Sequence, residues 1–153
     1  MHKLDDVDLT LLKALQENGR KSNVDLAELA GISAPPCLRR LRHLEDEKFI
    51  KAYKAVLNGP ALGYNVTAFI KVALSTTSAS EMKAFQDTIA NWDNVTEAFA
   101  LAGDSDYLLK IVARNWDDYQ EFVMNVLPTA PGIGTSKSYL SVKTIKEDGG
   151  LPI

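Results

Sequence analysis

Apolar positions in the first third of the chain recur with a helical period. Val7, Leu11 and Leu15 are spaced by four, which places them on one face of a helix. Asp5 is suited to cap its start, Asp8 complements the dipole in the first turn, and Leu4 and Leu9 sit where a hydrophobic staple forms. Asn18-Gly19 ends it. Val24, Leu26, Ala27 and Leu29 mark a short second helix from about Asn23 to Ala30, closed by Gly31. Ser33 caps a third, whose first turn holds Pro35 and Pro36, where a missing N–H costs little. Leu38, Leu41 and Leu44 supply its apolar stripe. Two helices joined by a short turn containing glycine form a helix-turn-helix, here over about residues 23–42. The alternation from Phe49 to Leu57 predicts a strand in the place of a wing, and Asn58 to Gly63 is a turn-rich connector.

Beyond the connector the rhythm changes. Val66, Ala68, Ile70, Val72 and Leu74 alternate with Thr67, Phe69, Lys71 and Ala73, a strand pattern. Ser78 to Glu81 reads as a capping box, and Met82, Phe85, Ile89 and Trp92 give the following helix its apolar face. Val95 to Ala102 and Tyr107 to Ala113 predict two more strands. Asn115 caps a helix carrying Tyr119, Phe122, Val123 and Val126 and closed by Pro128. A fourth strand is expected from Thr135 to about Thr144, with an irregular tail after Lys146.

The order β-α-β-β-α-β is the ferredoxin-like arrangement, so the fold class is α+β: a winged helix-turn-helix followed by a ferredoxin-like sandwich. The corresponding division is 1–52 for the reader, 53–63 for a strand and linker, and 64–153 for the second domain. Two helices cover one face of such a sheet, so the other face predicts a partner subunit.

Composition narrows the function. The 153 residues are 46% hydrophobic and 24% charged, an ordinary globular balance. No apolar run approaches the roughly 20 residues a membrane-spanning helix needs, and no signal-peptide pattern opens the chain, so a soluble, cytoplasmic protein is expected. One cysteine, Cys37, excludes an internal disulfide and a four-cysteine zinc site, and it is expected in the core. Residues 1–58 hold ten Lys/Arg against nine Asp/Glu (+1), and 59–153 hold seven against eleven (−4), which together give the net charge of −3. Arg39, Arg40, Arg42 and Lys48, with His43, concentrate positive charge on or just beyond the third helix. A local basic helix suffices for phosphate contact on a chain whose total charge is acidic.

A recognition helix presents its N-terminal residues to base edges in the major groove of duplex DNA. Ser33, Ala34 and Pro35 are therefore candidates for base or backbone approach, and Arg39, Arg40, Arg42 and His43 for base and phosphate contacts. In the second domain, Gly103, Asp104, Ser105, Asp106 and Tyr107 join two strands. They read as an ordinary tight turn, or as a cradle in which N–H groups hold a carboxylate and an Asp pairs an ammonium. Those are the two charged ends of an α-amino acid. Ser136 and Ser138 on the last strand are further candidates.

Three stretches, "LDDVDLTLLKALQENGR", "LRRLRHLEDEKFIKAY" and "VTEAFALAGDSDYLLKIVA", resemble in order the leucine-responsive regulatory protein/AsnC family of transcriptional regulators. The resemblance spans nearly the whole chain. It implies a winged helix-turn-helix with an amino-acid-metabolism regulatory domain, homodimers that pair through their sheets and often assemble into octamers, and an amino-acid effector held at the turn 103–107 between dimers. One departure is visible. Where the family usually has a small residue or glycine after the third helix, this chain has Lys48-Phe49, which adds a positive charge near DNA.

Two alternatives stand beside that reading. An architectural DNA-binding protein would lack an effector. A small ferredoxin-like enzyme would want a His, a Cys or paired carboxylates in a cleft. The second half has neither His nor Cys, and its acids Asp104, Asp106, Asp117 and Asp118 lie at turns and helix starts, where capping explains them. No phosphate-binding glycine loop, dinucleotide fingerprint or metal-ligand spacing is present, so neither catalysis nor a cofactor or metal is expected.

Overall fold

A computed structural model describes residues 3–76, 78–147 and 149–153. The chain forms two compact units, one of Met1–Val56 with Lys146–Ile153, the other of Leu57–Ile145.

The first unit is three helices: α1 (Asp6–Glu17), α2 (Asn23–Leu29) and α3 (Ala34–Asp46). Their starts follow from side-chain chemistry. Asp5 caps α1 and Ser22 caps α2, each in a full capping box with an aspartate three residues on, Asp8 and Asp25. Leu11, Ala14, Leu26, Ala27, Cys37 and Leu44 form the core. Cys37 is fully buried there, and burial pushes its thiol pKa up, away from the reactive thiolate.

Helices α2 and α3 end in the same way. After α2, Ile32 N–H bonds to Ala27 C=O (3.0 Å) and Gly31 N–H to Glu28 C=O (3.1 Å). After α3, Phe49 N–H bonds to Leu44 C=O (3.0 Å) and Lys48 N–H to Glu45 C=O (3.1 Å). Both are Schellman motifs, which place the residue after the cap in the left-handed region. Gly31 sits there at φ +66°, and Lys48 at φ +62°.

One expectation for this unit is corrected. The segment expected as a wing strand, 49–57, pairs with no neighbour among the described residues, and 51–58 has no regular secondary structure. Alternating side chains specify two faces, but a ladder also requires an adjacent strand, and none of the four described strands lies beside it. The tail 146–153 makes its contacts with the helices. Gln16 Nε2 donates to Leu151 C=O and Leu151 N–H donates to Gln16 Oε1, both at 2.8 Å, an amide pair that mimics a backbone bridge.

The second unit has β1 (Val66–Leu74), α4 (Ala79–Ile89), β2 (Val95–Ala100), β3 (Tyr107–Ala113), α5 (Trp116–Glu121) and β4 (Ile133–Leu140). The antiparallel sheet has the order β2-β3-β1-β4, the ferredoxin-like arrangement. Ala68, Ile70, Val72, Tyr107, Leu109, Ile111 and Ala113 face the helices and are buried with Phe85, Ile89, Tyr119, Phe122 and Leu127. Strand β4 runs earlier than the expected 135–144. It starts opposite Leu74, where the register shifts, and Ser141 N–H makes its last bond to Thr67 C=O, one residue from the start of β1. Helix α5 likewise differs from one regular helix to Pro128: beyond Glu121 it widens into a π-turn, Phe122–Val126, closed by Leu127 N–H on Phe122 C=O. That turn keeps Phe122 and Leu127 both buried.

Candidate DNA interface and ligand site

Helix α3 divides its circumference among three tasks. Cys37 and Leu44 point into the core, with Ala34 and Leu41 partly buried beside them. Pro35, Leu38, Arg39 and Arg42 are exposed, at the spacing i, i+3, i+4, i+7 that defines one helical face. Leu38 was expected in the buried stripe. It is instead 41% exposed, because Cys37, one position earlier, takes the inward direction.

Arg40 takes the third direction. Its Nη1 donates to Asp5 Oδ2 (2.7 Å) and Asp8 Oδ1 (2.8 Å), and the Asp8 side chain is 3% exposed. The backbone N–H of Asp8, reinforced by Arg40, holds the Asp5 carboxyl below the usual carboxylate range, and the two acids raise the Arg40 pKa in return. Arg40, one of the candidate DNA contacts, thereby braces α3 against the start of α1. His43 is half-buried and lines a groove with Lys3, Asp5, Asp8, Pro36, Arg39 and Arg40. Ser33 is exposed and extended at the start of α3, with no side-chain cap bond, and Ala34 is half-buried behind it. Asn23 Nδ2 donates to Ala34 C=O (2.9 Å), tying the first turn of α2 to that of α3. This brace and the Arg40 pair were not foreseen, although the acids of a capping box beside an Arg-rich helix were visible in the sequence.

In the second unit the 101–106 connection is sewn onto the end of β1. Leu101 N–H bonds to Asp106 C=O (2.8 Å), Asp106 N–H to Val72 C=O (2.9 Å), and Leu74 N–H to Asp106 Oδ2 (2.7 Å). Asp106 thus shapes the turn through one of its carboxylate oxygens. Gly103 has open space around it, Ser105 is half-buried, and Asp104 is exposed 3.6 Å from Lys71 Nζ. Tyr107 is buried, its ring 4.7 Å from Phe85 and its hydroxyl accepting from Gln86 Nε2 (2.9 Å).

Ser136 pairs across β1 with Val72, whose other neighbour is Tyr107, so Tyr107 and Ser136 occupy one row, two strands and about 10 Å apart. Ser138 lies two residues further along β4, opposite Ile70. The structure thus gathers 103–107 and Ser136 at one end of β1 and leaves Ser138 deeper along the edge. Both serines are on the helix-side face yet exposed. Gln86, Ala98, Ala100 and Tyr107 are among the residues that line a groove of about 340 Å³. Gln86 was passed over because its apolar neighbours on α4 defined the helix face.

The sheet face without helices carries Phe69 and Tyr139 in one row with the Lys110–Glu97 pair (2.7 Å), and Leu108 and Phe99 in the next row with Lys71 and Lys137. Among the described residues no group of His, Cys, Asp and Glu is placed to hold a metal ion, and no helix is long and apolar enough to cross a membrane.

Comparison with known proteins places both units. Residues 4–45 match the AsnC-type helix-turn-helix domain, and residues 67–151 match the Lrp/AsnC ligand binding domain. The chain is similar to a leucine-responsive regulatory protein of Rhizobium meliloti, 43% identical over 95% of this chain and 93% of that one. It is 36% identical to the Bkd operon transcriptional regulator of Pseudomonas aeruginosa over the full length of both. Among solved structures, a transcriptional regulator from Neisseria meningitidis in complex with L-Met superposes with a TM-score of 0.93 at 35% identity, covering 98% of this chain and 97% of that one.

Proposed function

The chain belongs to the Lrp/AsnC family of transcriptional regulators, with a helix-turn-helix DNA-binding domain and a ligand-binding domain, and on that premise we propose how its residues divide the work. Duplex DNA is bound through the outward face of α3, by Ser33, Pro35, Arg39 and Arg42. The observation that carries this reading is that exposed face: two arginines not engaged with the core, on a helix held from behind by Arg40 and Asn23. An α-amino acid is the effector, taken at the end of β1 formed by 103–107 and Ser136. The Neisseria relative solved with L-Met supports that ligand class. Subunits pair through the helix-free sheet face, where Phe69 and Tyr139 in one row and Leu108 and Phe99 in the next offer apolar contacts interspersed with Lys71, Lys137, Lys110 and Glu97. Such dimers assemble further into octamers. The reading is of a regulator, not an enzyme, acting in the cytoplasm.

Gel-shift titration over a salt series tests the DNA contacts. Arg42→Ala should weaken binding to all sequences and lower the slope of log K against log salt by about one if it meets a phosphate. Equal affinity for selected and random DNA would favour the architectural alternative. For the effector, a thermal-shift screen against the twenty amino acids should raise the melting temperature for at least one, since a ligand at 100 times its Kd adds about 2.7 kcal/mol of stability. No shift at millimolar concentrations would remove the amino-acid reading.

A further inference from the structure

Resting on the DNA-binding reading above, we infer that Leu38, seated with Pro35 on the outward face of α3, reads thymine 5-methyl groups in the major groove and is a specificity-determining residue of this regulator. A single exposed leucine is unremarkable on a protein surface. Its place is what matters. Leu38 is in the second turn of α3, where a recognition helix reaches base edges, and Arg39 and Arg42 flank it on the same face.

The chemistry on that face is ordered along the helix. Pro35 and Leu38 come first and are apolar, Arg39 and Arg42 follow, and Asp46 closes the exposed row. Positive charge beside an apolar patch complements a phosphate-lined groove that contains an apolar feature. In the major groove the only such feature on a base edge is the thymine methyl. A polar residue at 38 would serve guanine or adenine equally well, whereas leucine offers them no hydrogen bond. The arginines supply charge and donors, and Leu38 with Pro35 supplies preference for T at adjacent positions.

The test uses the full chain and duplexes enriched from a random-sequence pool by binding to it. Each thymine of an enriched duplex is then replaced, one at a time, by deoxyuridine, which removes only the methyl. At one or two positions per half-site the wild type should lose about fourfold in affinity per methyl, the worth of one buried methyl-sized group. Replacement by 5-methylcytosine, paired with guanine, should retain part of the preference over cytosine at those positions. Leu38→Ala should lose the discrimination between thymine and deoxyuridine at the position Leu38 reads, and Leu38→Met, which keeps an apolar side chain of similar length, should retain it. Circular dichroism of each variant establishes that α3 is intact. The inference is overturned if no thymine methyl matters to the wild type, or if Leu38→Ala keeps the wild-type sensitivity. Failure of the pool to enrich any sequence would instead refute the sequence-specific reading on which it stands, while the salt dependence of Arg42→Ala reports separately on DNA binding by this face.

Discussion

Replacing Lys48 with glycine should stabilise the first unit. Lys48 occupies the left-handed position of a Schellman motif at φ +62°, the same position that Gly31 fills after α2 at φ +66°. A residue with a Cβ in that region is disfavoured by about 1–2 kcal/mol, because Cβ crowds the following carbonyl. Glycine escapes that cost but loses about 0.5–1 kcal/mol more backbone entropy on folding. The difference is a net gain of about 0.5–1 kcal/mol, delivered where the Lys48 and Phe49 N–H groups close on Glu45 and Leu44. Amide hydrogen exchange reads it locally, and exchange of those two amides should slow about two- to fivefold. Strands β1 and β3 serve as an internal reference, and Lys48→Ala as the control that removes the charge and keeps the Cβ. The reasoning fails if Lys48→Gly exchanges no more slowly than the wild type, or if Lys48→Ala gives the same gain.

Arg40→Ala should destabilise the first unit by about 1–3 kcal/mol in a thermal melt, since it withdraws a charged donor from the buried Asp8 carboxylate; a surface-like effect near zero would return Arg40 to the DNA contacts. Gly150→Ala should release the tail, because its Cβ would fall 2.5 Å from Gln16 Nε2 on a backbone at φ +52°; limited proteolysis should then clip the C-terminal residues faster than in the wild type, and unchanged protection would count against the amide pair. Burial, with help from the Glu45 carboxylate that accepts from its hydroxyl, pushes the Tyr53 pKa up to about 12. The protonated phenol is the form favoured by folding, so its contribution is complete below pH 10 and is lost as pH rises from 10 towards 12. Absorbance at 295 nm should show a tyrosine ionisation near pH 12 that Tyr53→Phe removes.

Much of this architecture was legible because each boundary has a local chemical cause. Asp5, Ser78 and Asn115 cap their helices through side-chain bonds at the expected places, Ser33 holds the expected N-cap position without one, and the alternations at 66–74 and 107–113 coincide with β1 and β3. The differences arise where a neighbour decides. Residues 49–57 alternate like a strand but have no adjacent strand among those described, and β4 ends at Leu140 opposite Ala68, two residues from the start of β1. The tail could not be placed from the sequence because its anchor, Gln16, lies 135 residues away. Lys48 was recognised as a departure from the family pattern, yet its left-handed backbone becomes visible only with the hydrogen bonds that close α3. At the ligand end, turn residues and pocket residues have the same composition, so the sequence leaves turn and cradle both open; the bond from Leu74 N–H adds that Asp106 shapes the turn.

The division of α3 shows how much angle matters. At about 100° per residue, Arg39 and Arg42 are separated by roughly 60° around the helix, while Arg40 lies roughly 160° from Arg42. A single face cannot hold all three. Once Cys37 and Leu44 fix the inward direction, Arg39 and Arg42 turn outward together with Pro35 and Leu38, and Arg40 is carried to the flank that meets Asp5 and Asp8. That flank contact in turn restrains rotation of α3 about its own axis, since turning it would draw Nη1 away from two carboxylates at 2.7 and 2.8 Å. The arginine taken off the outward face thus acts on recognition by holding the direction in which the remaining side chains point. A cluster of positive charge on such a helix is therefore best divided by angle before its members are assigned to DNA.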